Sequence, residues 1–346
     1  MHTLELGRTG LRVSEVGFGG IPIQRVSDDD AVRIIRHCLD LGVTFLDTAF
    51  GYGTSEERIG RAIAGRREGL VLASKSPARD GATFREHLNV SLQRLGVRHI
   101  DLYQFHNISA DEQLAEVLAP GGAMEAAREA KAAGRIGHIG VTSHSLELAL
   151  KAVQTGLFET LMFPFNFIAD EAIEKLLPLC RQTQTGFIVM KPMAGGMLEN
   201  ARVAFKYLRQ FPDTVTIPGI ERAEEIEEII AIMQGPAELT AEERAEMDRL
   251  RQELGKRFCH RCGYCQPCPQ NIDITTIMNL KSFMKRFPPE RLYVGRWGDV
   301  VEQAKQCADC GECEGRCPYQ LPIREIMREN IAIFDRQKAI YEAAAH

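Results

Sequence analysis

Eight of the chain's ten cysteines fall between residues 259 and 318, in two copies of one spacing. Cys259, Cys262, Cys265 and Cys268 are followed by Pro269, and Cys307, Cys310, Cys313 and Cys317 by Pro318. The first copy is one residue shorter before its last cysteine. Two-residue gaps let a tight loop aim three successive thiolates at three corners of one iron–sulfide cube. Zinc is the alternative, since C-x₂-C pairs also build tetrahedral sites; the third cysteine of each triplet and both Cys-Pro endings weigh against it. One cluster in place of two is a milder alternative, because the short Cys265–Cys268 gap could spoil a site. A second set of reactive types stands far upstream: Asp47, Tyr52, Lys75 and His106. A phenol is a poor acid at neutral pH, but a neighbouring ammonium stabilises its phenolate. A carboxylate would hold that ammonium in place, and a histidine could orient a substrate oxygen or relay its proton.

The elements that must position these groups can be read from periodicity. Apolar runs at 13–19, 44–49, 70–75, 100–106, 136–143, 161–167, 186–192 and 215–220 are candidate strands, separated by amphipathic helical patterns. In the pattern over 28–41, Val32, Ile35, Cys38 and Leu39 recur at helical spacing and Gly42 stops it. Cys38 and Cys180 read as core. Strand–helix alternation repeated eight times predicts parallel strands closed into a (β/α)₈ TIM barrel, an α/β fold with its chemistry at the strands' carboxyl ends. A doubly wound sheet would carry G-x-G-x-x-G after its first strand, which Gly17-Phe18-Gly19-Gly20-Ile21-Pro22 does not complete. Residues 3–12 read as a hairpin that plugs the barrel bottom. Asp47, Lys75 and His106 then fall at strand ends, with Tyr52 in the loop after the second strand.

Composition bounds the rest. A chain of 346 residues holds one large domain and a smaller one, and 45% hydrophobic with 26% charged residues is ordinary for a globular protein. A net charge of −5 argues against nucleic acid as a partner. No apolar run approaches the roughly 18 residues of a membrane span, and the amino terminus does not resemble a signal peptide. The expectation is a cytoplasmic protein whose thiols stay reduced and open to metal.

The segment Phe45-Leu46-Asp47-Thr48-Ala49-Phe50-Gly51-Tyr52-Gly53 resembles the signature of the aldo-keto reductases. Lys75 and His106 fall where that family completes its tetrad, and the resemblance extends from residue 3 to about 232. It implies an enzyme that moves hydride between a nicotinamide dinucleotide and a small carbonyl or alcohol. Tyr52 would be the acid, Lys75 and Asp47 would tune it, and His106 would orient the carbonyl. The implied cofactor residues are Gly19, Gly20, Thr142, Ser143, Asn166, Gly219 and Arg222. This pocket departs from the family pattern. Thr142-Ser143-His144 stands where Ser-Asn is usual, Met162 replaces a glutamine, and Gly219, Glu225, Glu228 and Ile229 align with the positions that grip a 2′-phosphate. A carboxylate repels a phosphate monoester but accepts from a ribose 2′-OH, so NAD is at least as plausible as NADP.

Gln234-Gly235-Pro236 reads as a break, and Thr240 with Glu243 forms a capping box for a helix running to about 254. The expected organisation is a barrel over 1–235, a connecting helix over 236–256, and a cysteine domain with a C-terminal helix over 257–346. The second cysteine copy matches the C-x₂-C-x₂-C-x₃-C-P run of bacterial iron–sulfur proteins, in which the fourth cysteine ligates the other cluster. Crossed ligation would set Cys259, Cys262 and Cys265 with Cys317, and Cys307, Cys310 and Cys313 with Cys268, for two [4Fe–4S] clusters. The repeat with its helical insertion over 275–306 resembles the α-helical ferredoxin domains of multidomain reductases. Residues 256–346 hold 14 basic and 11 acidic groups. Lys281, Lys285, Arg286, Arg291 and Arg296 would balance the clusters' charge or steer an acidic electron carrier such as ferredoxin. Three functions compete: hydride chemistry coupled to electron transfer, a reductase with structural clusters, and a redox-responsive dinucleotide-binding protein.

Overall fold

The computed structural model describes residues 1–344, the side chain of Arg296 excepted. The chain divides into two compact units, Met1–Ala241 and Glu242–His346.

In the first unit, β1 (Thr3–Glu5) and β2 (Arg12–Ser14) pair antiparallel as a hairpin. Eight further strands follow: β3 (Phe18–Gly19), β4 (Phe45–Asp47), β5 (Val71–Ser76), β6 (Ile100–Phe105), β7 (Ile136–Thr142), β8 (Thr160–Pro164), β9 (Gly186–Met190) and β10 (Thr214–Ile217). Each pairs in parallel with the next, in the order β10-β9-β8-β7-β6-β5-β4-β3. Parallel bridges Val16↔Thr216 and Gly19↔Gly219 join the two outer strands and close the barrel. The expected first strand over 13–19 is in fact two pieces. Its start belongs to the hairpin, and Phe18–Gly19 is the barrel strand, with Val16 bridged to Thr216 just before it. One apolar run served both because each half buries its own face.

Glycines at this seam are explained by packing. Gly19 N–H donates to the Pro218 carbonyl at 2.8 Å, and a Cβ on Gly19 would stand 2.6 Å from that oxygen. Below the strands, Leu6 from the hairpin is buried in one apolar cluster with Phe45, Leu102, Ile188 and Val215, filling the end of the barrel. Arg8 fastens the hairpin by donating to the carbonyls of Thr183, Gly156 and Phe158 at 2.8–2.9 Å. The helix Asp28–Asp40 is capped by the Ser27 hydroxyl and buries Ala31, Ile34, Ile35 and Cys38. Its core face is thus turned slightly from the expected stripe. Burial pushes the thiols of both Cys38 and Cys180 up to about 12, as inert core groups require.

In the second unit the helix Ala241–Leu254 leads to the first cysteine copy. Four short helices, Ile274–Met278, Leu280–Met284, Pro289–Tyr293 and Arg296–Ala304, fill the interval between copies. The long helix Ile323–Ala344 packs through Ile326, Met327 and Phe334, with Ile333 half-buried; Ala345 lies outside the described residues. The repeat is legible in the core and in the backbone alike. Ile272 and Ile274 of the first copy and Leu321 and Ile323 of the second join one apolar cluster. Left-handed residues recur at matching places, Arg261 with Asp309, Gly263 with Gly311, and Asn271 with Gln320. Six residues held at positive φ in this matched way mean that both loops turn alike around their thiols.

Candidate active site and thiol cavities

Strands β4 and β5 deliver the first two groups. Asp47 ends β4 and Lys75 lies near the end of β5, and both side chains are almost wholly buried. Lys75 Nζ donates to Asp47 Oδ1 at 2.5 Å and to the Thr48 carbonyl at 2.7 Å. Burial alone pulls the Lys75 ammonium down, but the charges and hydrogen bonds of Asp47 and Tyr52 outweigh it and hold the pKa above the ordinary lysine value. Burial pushes the Asp47 carboxyl up, against the pull of Lys75 and Gln104. The pair therefore survives in a dry setting because each charge answers the other.

Tyr52 is half-buried in the loop between β4 and the helix Ser55–Ile63. Lys75 Nζ sits 4.9 Å from its ring centroid. The His106 ring meets it edge-on, with centroids 5.8 Å apart and planes at 80°. The loop is tied at many points. Thr48 N–H and Phe50 N–H donate to the carbonyls of Ala73 and Lys75, and Tyr52 N–H donates to Ala49. Arg94 donates to the Phe50 carbonyl at 3.2 Å and reaches the fully buried Glu56, whose carboxylate also accepts from Ser74 Oγ at 2.6 Å. Behind His106, Arg79 donates to the carbonyls of His106 and Asn107, both at 3.0 Å. All four groups expected to react thus lie together at the carboxyl ends of the strands.

Sequence reasoning gave no role to Arg79, Arg94 or Gln104. A loop arginine is ordinarily solvated, so nothing flagged the first two. Gln104 carried a signal that was readable: it lies on β6 two residues before His106, which follows the end of that strand, so alternation turns both toward the barrel's inside.

The expected cofactor residues are at the same end of the barrel, with their side chains already engaged. Thr142 Oγ1 accepts from Asn107 N–H at 2.8 Å. Ser143 Oγ bonds both backbone groups of Ser145. Asn166 caps its own turn, accepting from Ile168 and Ala169 N–H and donating to the Lys191 carbonyl. Gly20 is close-packed, since a Cβ there would stand 2.7 Å from Ser55 Oγ. Gly219 is exposed after β10. Arg222, 70% exposed, pairs with Glu225 at 3.0 Å, and Glu225 also accepts from the N–H groups of Glu221 and Arg222. Ile229 is buried in its helix.

In the second unit the thiols ring two cavities. One is lined by Cys259, Cys262, Cys265 and Cys317, the other by Cys268, Cys307, Cys310 and Cys313 with Cys265 at its edge. Each cavity thus takes its fourth thiol from the other copy. None of these cysteines is in a disulfide. Burial, with the neighbouring Cys259 and Cys262 adding to it, pushes Cys265 up to about 12. Burial likewise raises Cys262, with Cys259 and Cys317 adding to it. Thiols whose ionisation is opposed by burial and by one another fit a strongly cationic iron core. Among the described residues, no three His, Cys, Asp or Glu side chains converge as they do on a single ion. Over the first cavity, the rings of His260 and Tyr319 stack 3.7 Å apart and 4° from parallel.

Comparison with known proteins accords with both units. The aldo/keto reductase family model matches residues 15–203, and that of a 4Fe-4S dicluster domain matches residues 258–322. An uncharacterized oxidoreductase of Bacillus subtilis, YqkF, is 31% identical over 212 residues, covering 57% of this chain and 67% of that protein. The L-galactose dehydrogenase of Arabidopsis thaliana is 30% identical over 215 residues, covering 56% and 66%. Among solved structures, the holo form of aldo-keto reductase AKR11C1 from Bacillus halodurans superposes with a TM-score of 0.62 at 25% identity, covering 72% of this chain and 96% of that one. An aldo/keto reductase from Klebsiella pneumoniae, solved with NADP and acetate, gives 0.61 at 24% identity over 72% and 95%.

Proposed function

Because the chain belongs to the aldo/keto reductase family, we propose that it reduces or oxidises a small carbonyl or alcohol with Tyr52 as the acid–base group. We further propose that it couples this reaction to two [4Fe–4S] clusters. The observation that carries the reading is the buried Asp47–Lys75 pair set against the Tyr52 ring. A bound nicotinamide dinucleotide supplies or takes the hydride. Tyr52 passes its hydroxyl proton to the carbonyl oxygen, and Lys75, kept protonated by Asp47, stabilises the phenolate left behind. His106, steadied through its backbone by Arg79, orients that oxygen. Both dinucleotides fit the sequence, with NAD favoured: a 2′-phosphate would have to draw Arg222 from Glu225, whereas a ribose hydroxyl can donate to a carboxylate.

Cys259, Cys262, Cys265 and Cys317 would hold one cluster, and Cys307, Cys310, Cys313 and Cys268 the other. Two one-electron centres match the two electrons of a hydride. An external carrier would reduce each cluster by one electron, and those two electrons with one proton would return the oxidised dinucleotide to its hydride form after each carbonyl is reduced. The reverse flow applies to alcohol oxidation. A ferredoxin-like carrier is the external partner this arrangement calls for. The structural reading of the clusters also has an observation behind it, because Cys265 and Cys313 are part of the unit's apolar core. Anaerobic titration with NADH and NADPH, following cluster absorbance and iron per chain, separates the two. Coupling predicts bleaching by a dinucleotide; clusters that stay oxidised, with or without a carbonyl present, leave only the structural role. Tyr52→Phe should abolish carbonyl reduction and leave the iron content unchanged, and retained activity would remove Tyr52 from the mechanism.

A further inference from the structure

Asp47 has two carboxylate oxygens, and only one of them faces Lys75. The other, Oδ2, accepts from Gln104 Nε2 at 3.2 Å. Register pairs Lys75 with Gln104 across β5 and β6, and Gln104 with Gly140 across β6 and β7. Residues opposite one another share a face, so Lys75, Gln104 and Gly140 all face the inside of the barrel. Gly140 makes the room. A Cβ there would stand 2.9 Å from the Gln104 Cγ and 2.3 Å from Thr160 Oγ1. Gln104 itself is fully buried, and its Oε1 has no hydrogen-bond partner among the described residues.

That orphaned oxygen is informative. A side chain kept only to fill this space would be better apolar, since an unsatisfied buried carbonyl costs free energy that methionine avoids. Among the described residues, the one polar contact of the Gln104 side chain is to Asp47. We propose that Gln104 is a positioning residue for the catalytic centre. Its amide fixes the plane of the Asp47 carboxylate, so that Oδ1 stays on Lys75 and Lys75 stays against Tyr52. The charged or titratable groups facing Asp47 are then Lys75 from β5 and Tyr52 beyond it, and Gln104 is the neutral donor on the remaining side. The inference rests on Tyr52 and Lys75 being the acid machinery, and its test is built to fail separately from that reading.

The test compares Gln104→Met, with Gln104→Leu as a second variant, against the full-length wild type. Infrared difference titration, with the band lost in Asp47→Asn identifying the acid form, reports the ionisation of Asp47 without any substrate. Turnover of 4-nitrobenzaldehyde with NADH and NADPH reports chemistry. The expected result is an Asp47 midpoint moved to higher pH and kcat lower by about tenfold with KM little changed, the size of one charge-assisted hydrogen bond. Thermal stability should be equal or higher, because the orphaned oxygen is gone. An unmoved Asp47 midpoint overturns the proposal whatever the turnover. Activity that falls only in step with stability overturns it too, since that is filler behaviour. A moved midpoint with unchanged kcat also overturns the positioning role and leaves only a contact with Asp47, whereas retained turnover in Tyr52→Phe would instead overturn the acid assignment.

Discussion

Lys75→Met removes one member of a buried ion pair and strands the other. Asp47 loses its closest partner, the Nζ at 2.5 Å, and the Thr48 carbonyl loses its donor at 2.7 Å. Breaking a buried pair on one side costs about 3–5 kcal/mol. For a unit the size of Met1–Ala241 that corresponds to a melting midpoint lower by about 6–20 °C. The variant has an escape, which is to protonate Asp47. Its carboxyl is already pushed up by burial, and without the ammonium it rises further. The folded state of the variant then binds a proton that the unfolded state has released. Stability so gained is complete below the ordinary aspartate pKa and is lost as pH rises through the raised one, at about 1.4 kcal/mol per pH unit. The penalty should therefore be smallest near about pH 4 and grow as pH rises through the raised midpoint. Far-UV circular dichroism follows the barrel's melting, while fluorescence of Trp297, the chain's one tryptophan, follows the second unit. Asp47→Asn combined with Lys75→Met should recover part of the loss at the higher pH and none at the lower. A penalty that is flat across this range, or a double variant as unstable as the single one at high pH, refutes the reasoning.

Two further sets of substitutions test other parts of the fold. Glu159 accepts from Lys131 at 2.6 Å and from Ile139 N–H at 3.1 Å, and pairs with His138 at 2.7 Å. Burial opposes its ionisation, yet these partners bring its pKa to about 2. The carboxyl is only 19% exposed, so the shift is worth about 3 kcal/mol at neutral pH. That stability is present above the ordinary glutamate value and lost as pH falls toward about 2; Glu159→Gln should lower the neutral melting midpoint and flatten its acid dependence. In the cysteine unit, serine variants should sort by cavity and not by position along the chain. Cys317→Ser should leave the same residual electron paramagnetic resonance signal as Cys262→Ser, and Cys268→Ser the same as Cys310→Ser. Pairing of Cys268→Ser with Cys262→Ser would show that ligation is not crossed.

How much of this was readable in advance follows from which physical signals are local. The eight barrel strands and the helix Asp28–Asp40 announce themselves by period, because each must bury a face. The repeat around the cysteines was legible for a similar reason, since spacing alone dictates where thiolates point. What could not be read were closures made by backbone. The seam at Gly19 and Gly219 depends on two strands far apart in sequence approaching within a hydrogen bond, so Gly19-Gly20 invited comparison with a phosphate-binding turn. The division of residues 13–19 between hairpin and barrel was hidden because one apolar run satisfies both. Arg79 and Arg94 act on main-chain carbonyls, and no pattern of side-chain types encodes such a contact.

The engaged side chains at the barrel mouth bear on what a dinucleotide would meet there. Ser143 and Asn166 close the turns after β7 and β8, and Thr142 Oγ1 accepts from Asn107 N–H in the loop after β6. Among the described residues, the Thr142 hydroxyl hydrogen and one Asn166 Nδ2 hydrogen are left to donate. The three side-chain oxygens, by contrast, could accept from a carboxamide only by sharing or displacing a bond already made, and each displaced bond leaves a backbone group to be satisfied. Recognition of a carboxamide oxygen at this end could use the Thr142 and Asn166 donors, while its amide would be left to main-chain groups and residues at other positions. At the other end of the ligand the Arg222–Glu225 pair is exposed and screened, so opening it is cheap. Glu225, however, stays anchored by the N–H groups of Glu221 and Arg222 and would remain beside any phosphate that Arg222 captured. Repulsion from that fixed carboxylate is the physical ground for expecting NAD to compete well. Glu225→Gln, which keeps the acceptor oxygen and drops the charge, should tighten NADPH binding while leaving NADH nearly unchanged in fluorescence titrations. Equal effects on both dinucleotides would place Glu225 away from the 2′ position.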